Sequence, residues 1–282
     1  MAPWAAVIGS PIAHSMSPVL HRAAWASLGI EGWDYRRLEV DEAALPGFIA
    51  SLDGECRGLS VTMPDKQAVI PLLDAVDPLA QAVGAVNTVI PAAGVLTGFN
   101  TDVHGMATAI SEARAAAALV NEPKSAVILG ARASASSALP ALRQLGVERF
   151  TMVARRFDGP GSALAVGMSL GLSVDQVPWR QRDRAVNSID EGDIIVSTVP
   201  RGVADEFAGL VTPRAGQTLM DIVYTPDGTP LADAYERAGA VVAPALEMLL
   251  HQAVVQVKLM TGREPDVAAM RAALAAEVAA QR

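Results

Sequence analysis

The chain is short of the residues that build specialised chemistry. Its 282 residues include one cysteine, Cys56, so no internal disulfide can form and nothing points to an oxidising compartment. A lone cysteine is read as a small core residue, not a nucleophile. The four histidines, His14, His21, His104 and His251, fall at no spacing that suits a metal, and no metal is expected. Aromatic residues make up only 4% of the chain and charged residues 18%, which argues against a broad aromatic binding face. No uninterrupted hydrophobic run reaches the length of a membrane span: the longest apolar stretch, 241–260, is broken by Pro244, Glu247, His251 and Lys258. Residues 1–10 lack the basic start of a signal peptide, so the expected location is the cytoplasm. Positive charge is not in excess either. The formal net charge is −8, and the mean field of such a chain repels phosphate, which excludes nucleic acid and anionic membranes as expected partners. An anionic small molecule would have to be held by local donors and a few placed cations.

What is present is apolar bulk, 51% of the residues, in a chain long enough for two domains. Short strands alternate with helices. Strands are expected at 4–9, 34–40, 58–63, 85–90 and 95–98, the last two joined by a turn at Ala93-Gly94. Ser17-Pro18 reads as an N-cap followed by proline at the first helical position, opening a helix to about residue 28, and Asp41 as the cap of the next helix. An alanine-rich helical pattern covers 102–119 and ends at Asn121-Glu122-Pro123. A second series follows, with strands at 125–129, 150–154, 193–198 and 218–224 and helices at 135–145 and 231–238. Such alternation predicts an α/β fold with parallel sheets, because each crossover needs a helix to return the chain. Two helices broken near Thr261-Gly262 fill 245–281.

The strand at 125–129 runs into Gly130-Ala131-Arg132-Ala133-Ser134-Ala135. A strand, a glycine and a helix start form a resting place for a pyrophosphate, since free backbone N–H groups and the helix dipole favour an anion. Gly130 and Ala135 fit the first and last positions of the G-x-G-x-x-G/A fingerprint, whereas Arg132 replaces the middle glycine. A guanidinium at this position either grips phosphate or crowds it; on the turn alone, an ordinary βα connection is an equal alternative. The next strand ends in Ala154-Arg155-Arg156, where an acidic residue would hold a ribose 2′-hydroxyl. Two arginines suit the 2′-phosphate of NADP instead.

In the first hundred residues, four clusters sit at strand ends or turns. They are His14-Ser15-Met16-Ser17-Pro18, Thr62-Met63-Pro64-Asp65-Lys66, Gly84-Ala85-Val86-Asn87-Thr88 and Gly98-Phe99-Asn100-Thr101-Asp102. Farther on come Ser197-Thr198-Val199-Pro200, the run Asp221-Ile222-Val223-Tyr224-Thr225-Pro226 with Thr229-Pro230-Leu231, and Met248-Leu249-Leu250-His251-Gln252-Ala253. Taken in order, from Gly9 to about Gly262, these seven clusters resemble the shikimate dehydrogenase family.

The resemblance implies two α/β domains. A substrate-binding domain spans 1–102 and is completed by C-terminal helices at 245–282; a Rossmann-like NADP-binding domain spans 103–244. It implies an oxidoreductase that reversibly reduces 3-dehydroshikimate to shikimate in aromatic amino acid biosynthesis, with NADP as cofactor and NAD as a possible substitute. Lys66, the only lysine in 1–102, matches the general acid of reduction and base of oxidation, and Asp102 its carboxylate partner. Read singly, Lys66 is an ordinary surface lysine and Asp102 a helix cap. Ser15 and Ser17 match residues that bind the substrate carboxylate, Thr62, Asn87 and Gln252 residues that bind ring hydroxyls, and Tyr224 a residue lining the site. On the cofactor side the matching positions are Gly130, Ala131, Arg132, Ala133, Ser134, Ala135, Ala154, Arg155, Arg156, Thr198, Ile222 and Ala245. The partners implied are small molecules, with the chain a monomer or homodimer.

The departures from the family pattern all fall on the cofactor side. Arg132 and Ala133 replace glycines, Ala154-Arg155-Arg156 stands where Asn-Arg-Thr is usual, and Ala245 and Glu247 lie where glycines are common. Two alternatives stay open: a quinate or aminoshikimate dehydrogenase using NAD(P), against which the two serines at 15 and 17 argue, and, motivated by the altered Gly130–Ala135 turn, a weakly active or silent paralogue acting as a ligand sensor.

Overall fold

A computed structural model describes residues 2–159, 161–225 and 228–281. The chain divides into two compact units, Met1–Thr101 with Leu249–Arg282, and Asp102–Met248.

The first unit is built from β1 (Trp4–Gly9), α1 (Ser17–Ser27), β2 (Asp34–Glu39), α2 (Leu45–Ala50), β3 (Cys56–Val61), α3 (Asp65–Ala68), β4 (Ala75–Val76), α4 (Pro78–Val83), β5 (Thr88–Ala92) and β6 (Val95–Phe99). Its six-stranded sheet has the order β2-β1-β3-β5-β6-β4. β1 shows why both faces are covered. Alternate residues Trp4, Ala6 and Ile8 join a core with Leu45, Ile49, Leu59 and Val61, while Ala5 and Val7 join another with Trp25, Tyr35 and Met260.

Parallel pairing, expected from the alternation of strands and helices, holds for only part of this sheet, and the expected turn at Ala93-Gly94 makes a hairpin. β2, β1 and β3 are parallel, but β5 runs antiparallel to both β3 and β6. Ala93 and Gly94, at φ +50° and +80°, close the β5–β6 hairpin in two residues, too few for a crossover. The strand expected from residue 85 begins only at Thr88, because Gly84 ends α4 in the left-handed conformation and Val86 turns its N–H to the Lys66 carbonyl. The expected cap at Ser17 is also corrected. Ser17 is already helical, Met16 occupies the cap without a side-chain bond, and Ser15 Oγ accepts the Ser17 N–H. Asp41 caps a turn instead, taking the N–H of Ala44 just before α2.

The second unit comprises α5 (Asp102–Ala116), β7 (Ser125–Leu129), α6 (Ala133–Gln144), β8 (Arg149–Ala154), α7 (Ala163–Ser169), β9 (Val174–Pro178), α8 (Arg182–Glu191), β10 (Ile194–Ser197), α9 (Asp205–Ala208), β11 (Thr218–Asp221), α10 (Pro230–Arg237) and β12 (Val241–Ala243). The sheet order β12-β11-β10-β7-β8-β9 is parallel throughout. Counted within the unit this is 3-2-1-4-5-6, the doubly wound dinucleotide-binding order. One face packs Leu129, Val153, Ile195 and Leu219 on Ile189, Phe207, Leu231 and Tyr235 of the helices.

The strand expected at 218–224 stops at Asp221. The Asp221 carboxylate accepts the Val223 N–H and the Thr229 hydroxyl, closing the connection to α10; Pro226 of that motif lies outside the described residues. Two helices follow β12, α11 (Ala245–Thr261) and α12 (Val267–Ala280), and from Leu249 onward they belong to the first unit, where α12 packs on α1. No helix among the described residues is long and apolar enough to cross a membrane.

Candidate functional site

In the first unit the strand order reverses between β1 and β3, and open α/β sheets place ligands beyond the carboxyl ends of strands at such a point. The two strand ends converge because residue 9 is glycine. A Cβ there would meet Thr62 Cγ2 at 2.5 Å and the Met63 carbonyl oxygen at 2.6 Å. Ser15 and Ser17 follow β1; both are buried, with hydroxyls 3.3 Å apart, and Arg37 Nε donates to the Ser15 carbonyl at 2.9 Å. His14 is exposed. Thr62 and Lys66 follow β3 and are half-buried. The Lys66 carbonyl accepts the Val86 N–H at 2.8 Å, which fastens α3 to the 84–88 segment. Beside it, Asp65 is fully buried and neither carboxylate oxygen meets a donor. Burial, with the charges of Glu42 and Asp41 nearby, pushes its pKa up to about 6.

A polar cluster lies in the same unit. Asn87 Nδ2 donates to Thr101 Oγ1 at 2.9 Å, and Asn87 Oδ1 accepts the Thr101 N–H at 2.8 Å and the Thr88 hydroxyl at 2.9 Å. Gln252 Oε1 is 3.5 Å from both Asn87 Nδ2 and Thr101 Oγ1. One helical turn later, Gln256 bonds Ser60, His21, Thr88 and the Asn87 carbonyl. His21 is stacked on Tyr35 at 4.2 Å between centroids, and burial lowers its pKa to about 4, so the imidazole is neutral. Burial pushes the Tyr35 phenol well above its ordinary range, against the hydroxyls of Ser60 and Ser17, which act to lower it.

The second unit has its own reversal, between β7 and β10. There a cleft of about 520 Å³ is lined by Gly130, Ala131, Arg132, Ala154, Arg155, Arg156, Trp179, Thr198, Val199, Pro200 and Val203. Gly130 has φ +112°, and a Cβ on it would overlap Thr198 Oγ1, whose hydroxyl is fixed on the Leu129 carbonyl. The turn thus leaves main chain bare beside the start of α6. Arg132 stands at the cap of α6 in extended backbone, exposed, with its guanidinium reaching toward Gly159. Arg155 and Arg156 follow β8 and are exposed. Three guanidiniums, a bare glycine turn and a helix start suit a phosphorylated dinucleotide.

Of the expected cofactor positions, Gly130, Ala131, Arg132, Ala154, Arg155, Arg156 and Thr198 line this cleft together. Ala133, Ser134, Ala135, Ile222 and Ala245 are not in its described lining. Ala135 is buried in the packing of α6, Ala133 and Ser134 are half-buried in its first turn, and Ile222 and Ala245 are half-buried after β11 and at the start of α11. Tyr224 is half-buried in the β11–α10 connection, and Asp102 is buried as the first residue of α5 rather than flanking that helix. Two features were missed in the sequence. Trp179, whose indole donates to Glu206 at 2.6 Å, forms part of the cleft wall just after β9, a polar edge strand with little signal. Gln256 could have been found, since it lies four residues after Gln252 and so on the same helix face.

The profile of the shikimate dehydrogenase substrate-binding domain matches residues 7–89, and that of the shikimate 5′-dehydrogenase C-terminal domain matches 246–275. A protein of Geobacter sp. (strain M21) named shikimate dehydrogenase (NADP(+)) is 37% identical over 278 residues, covering 97% of this chain and 94% of the relative. The crystal structure of Mycobacterium tuberculosis shikimate dehydrogenase superposes with a TM-score of 0.84 at 36% identity, covering 97% of this chain and 99% of that one. Shikimate 5-dehydrogenase from Thermus thermophilus, in complex with NADP(H) and shikimate, gives a TM-score of 0.80 at 33% identity with 97% and 99% coverage. By sequence and fold alike, the chain belongs to the shikimate dehydrogenase family.

Proposed function

We propose that the protein catalyses the NADP-linked, reversible reduction of 3-dehydroshikimate to shikimate. The observation that carries this reading is the placement in one unit of neutral polar groups, Asn87 beside Gln252 and Ser15 beside Ser17, at positions matching the family's substrate residues. The Thermus relative holds both NADP(H) and shikimate. The first unit is assigned to substrate binding and the second to the dinucleotide.

Ser15 and Ser17 donate hydroxyls to the substrate carboxylate, so that no buried cation is needed. Thr62, Asn87 and Gln252 hydrogen-bond the ring hydroxyls, and Tyr224 contributes to the lining. Lys66 Nζ gives its proton to the oxygen of the reacting carbonyl as that oxygen becomes an alkoxide, and retrieves it in the oxidation. At the family's other catalytic position, Asp102 accepts a hydrogen bond from a substrate hydroxyl. NADPH, when bound, supplies the hydride. The cleft of the second unit fits it: the bare turn at Gly130 admits the pyrophosphate to main-chain N–H groups, and Arg132, Arg155 and Arg156 offer cations to the 2′-phosphate and pyrophosphate.

The test is absorbance at 340 nm with purified protein. Turnover of shikimate with NADP, and less with NAD or quinate, is expected. Turnover chiefly of quinate with NAD would change the substrate, and thermal stabilisation by shikimate without turnover would make the protein a ligand sensor.

A further inference from the structure

The buried polar groups behind Asn87 have only one consistent set of hydrogen-bond directions. The Asn87 carbonyl oxygen is only an acceptor, so the Gln256 atom 3.1 Å from it must be the amide nitrogen. Gln256 therefore turns its oxygen to Ser60 Oγ, 2.8 Å away, and to His21 Nε2, 3.1 Å away, and both must donate. With the Ser60 hydrogen spent on Gln256, Tyr35 must donate to Ser60 across 2.6 Å. The second Gln256 N–H meets Thr88 Oγ1 at 2.9 Å, so the Thr88 hydrogen goes to Asn87 Oδ1. The Thr101 N–H, only a donor, meets the same oxygen at 2.8 Å. Asn87 is thus held with its side-chain oxygen engaged from behind and its NH2 group as the donor. Its main chain is clamped as well, since its carbonyl accepts from both Val61 N and Gln256 Nε2.

We propose that Gln256 is a positioning residue for the substrate: from α11 it clamps the Asn87 carbonyl and, through Thr88, joins the Thr101 N–H in holding Asn87 Oδ1 inward, so that Asn87 meets the ligand through its NH2 group and selects an acceptor oxygen. This rests on the reading of Asn87 as a substrate residue, and the experiment separates the two. The groups concerned, His21, Tyr35, Ser60, Thr88 and Gln256, are all buried, so solvent does not satisfy what a substitution leaves unmet.

The variants are Gln256→Leu, Gln256→Glu, Thr88→Val and Asn87→Ala, each measured for kcat, KM for shikimate and KM for NADP. Gln256→Leu should raise KM for shikimate about tenfold, the equivalent of one good hydrogen bond, and leave kcat and KM for NADP within about threefold. In Gln256→Glu the carboxyl still accepts from Ser60 and His21, but it has a hydrogen for either the Asn87 carbonyl or Thr88 only when protonated, and never for both. KM for shikimate, measured beside the parent protein over the same pH range, should therefore fall more steeply as pH is lowered. Should Gln256→Leu fail to fold, Thr88→Val carries the same expectation through the hydroxyl that bonds Asn87 Oδ1. If Asn87→Ala raises KM for shikimate while neither Gln256 variant nor Thr88→Val moves it, the proposal is wrong and the reading of the site stands. Equal losses in kcat and in both KM values across the Gln256 variants would also overturn it, as plain structural damage. If Asn87→Ala leaves KM unchanged, the substrate reading itself falls.

Discussion

The two units offer opposite solutions to the binding of an anion. The first presents buried, neutral polar groups: two serine hydroxyls, an asparagine amide and a glutamine amide, the direction of the asparagine imposed by groups behind it. The second presents exposed guanidiniums at Arg155 and Arg156 around main chain left bare by Gly130. Buried neutral donors discriminate shape and hydroxyl pattern, because each unmet partner costs about 1–3 kcal/mol. Exposed cations attract charge with less geometric demand and are weakened by salt. On the proposed function, a chain of net charge −8 takes two anionic ligands with local guanidiniums in one unit and mostly neutral donors in the other.

The largest expected effect comes from the exception to neutrality in the first unit. Lys66→Ala should lower kcat by about 10²–10⁴, the usual contribution of a general acid, and leave shikimate binding largely intact by calorimetry. If kcat held near its parent value, the first unit would be a pure recognition surface. Next, Gly130→Ala tests whether the second unit depends on bare backbone. The added methyl collides with Thr198 at a φ that L-residues avoid, so KM for NADP should rise about tenfold and Tm fall by about 2–4 °C, with KM for shikimate unchanged. A milder effect is expected from Arg156→Ala, about fivefold in KM for NADP and little for NAD, and the gap should narrow between low and high ionic strength. A gap indifferent to salt would mean that the arginine acts by packing.

The smallest effect concerns stability and pH, and it lies wholly in the first unit. The folded state lowers the His21 pKa from 6.5 to about 4, so the unfolded chain binds more protons between those values and stability falls as pH drops through them. Asp65 runs the other way. Its pKa is raised from 3.8 to about 6, so the folded chain binds more protons in that window and stability falls as pH rises through it. The two slopes nearly cancel between about pH 4 and 6. Asp65→Asn should unmask the histidine slope and raise Tm by about 2–4 °C at pH 8, with no gain near pH 4, as scanning calorimetry can show.

What could be read from the sequence follows from what each feature demands locally. Turns at a sheet's reversal points draw on glycine, proline and hydroxyl residues, so Gly9 to Ser17, Thr62 to Lys66 and Gly130 to Ala135 leave visible marks. Strands such as Ser125–Leu129, apolar without a break from Ala126 to Leu129 and ended by Gly130, are legible for that reason. α3, α9 and β4, at four, four and two residues, are shorter than the periods that would reveal them. The antiparallel entry of β5 beside β3 is a long-range pairing that no local pattern encodes. The arginine at 132, where a glycine was the norm, could be noticed but not judged; only its extended backbone at the head of α6 shows that the turn survives the substitution.

The discontinuity of the first unit bears on how the chain is made. Its sheet is complete by residue 99, yet Met260 in its core and Gln256 behind Asn87 are synthesised more than 150 residues later. The contiguous second unit has all its strands in hand by Ala243 and can fold while the ribosome still holds the remainder. A nascent chain truncated before Leu249 should therefore yield a protease-resistant dinucleotide half tethered to a half that is still waiting for its last two helices.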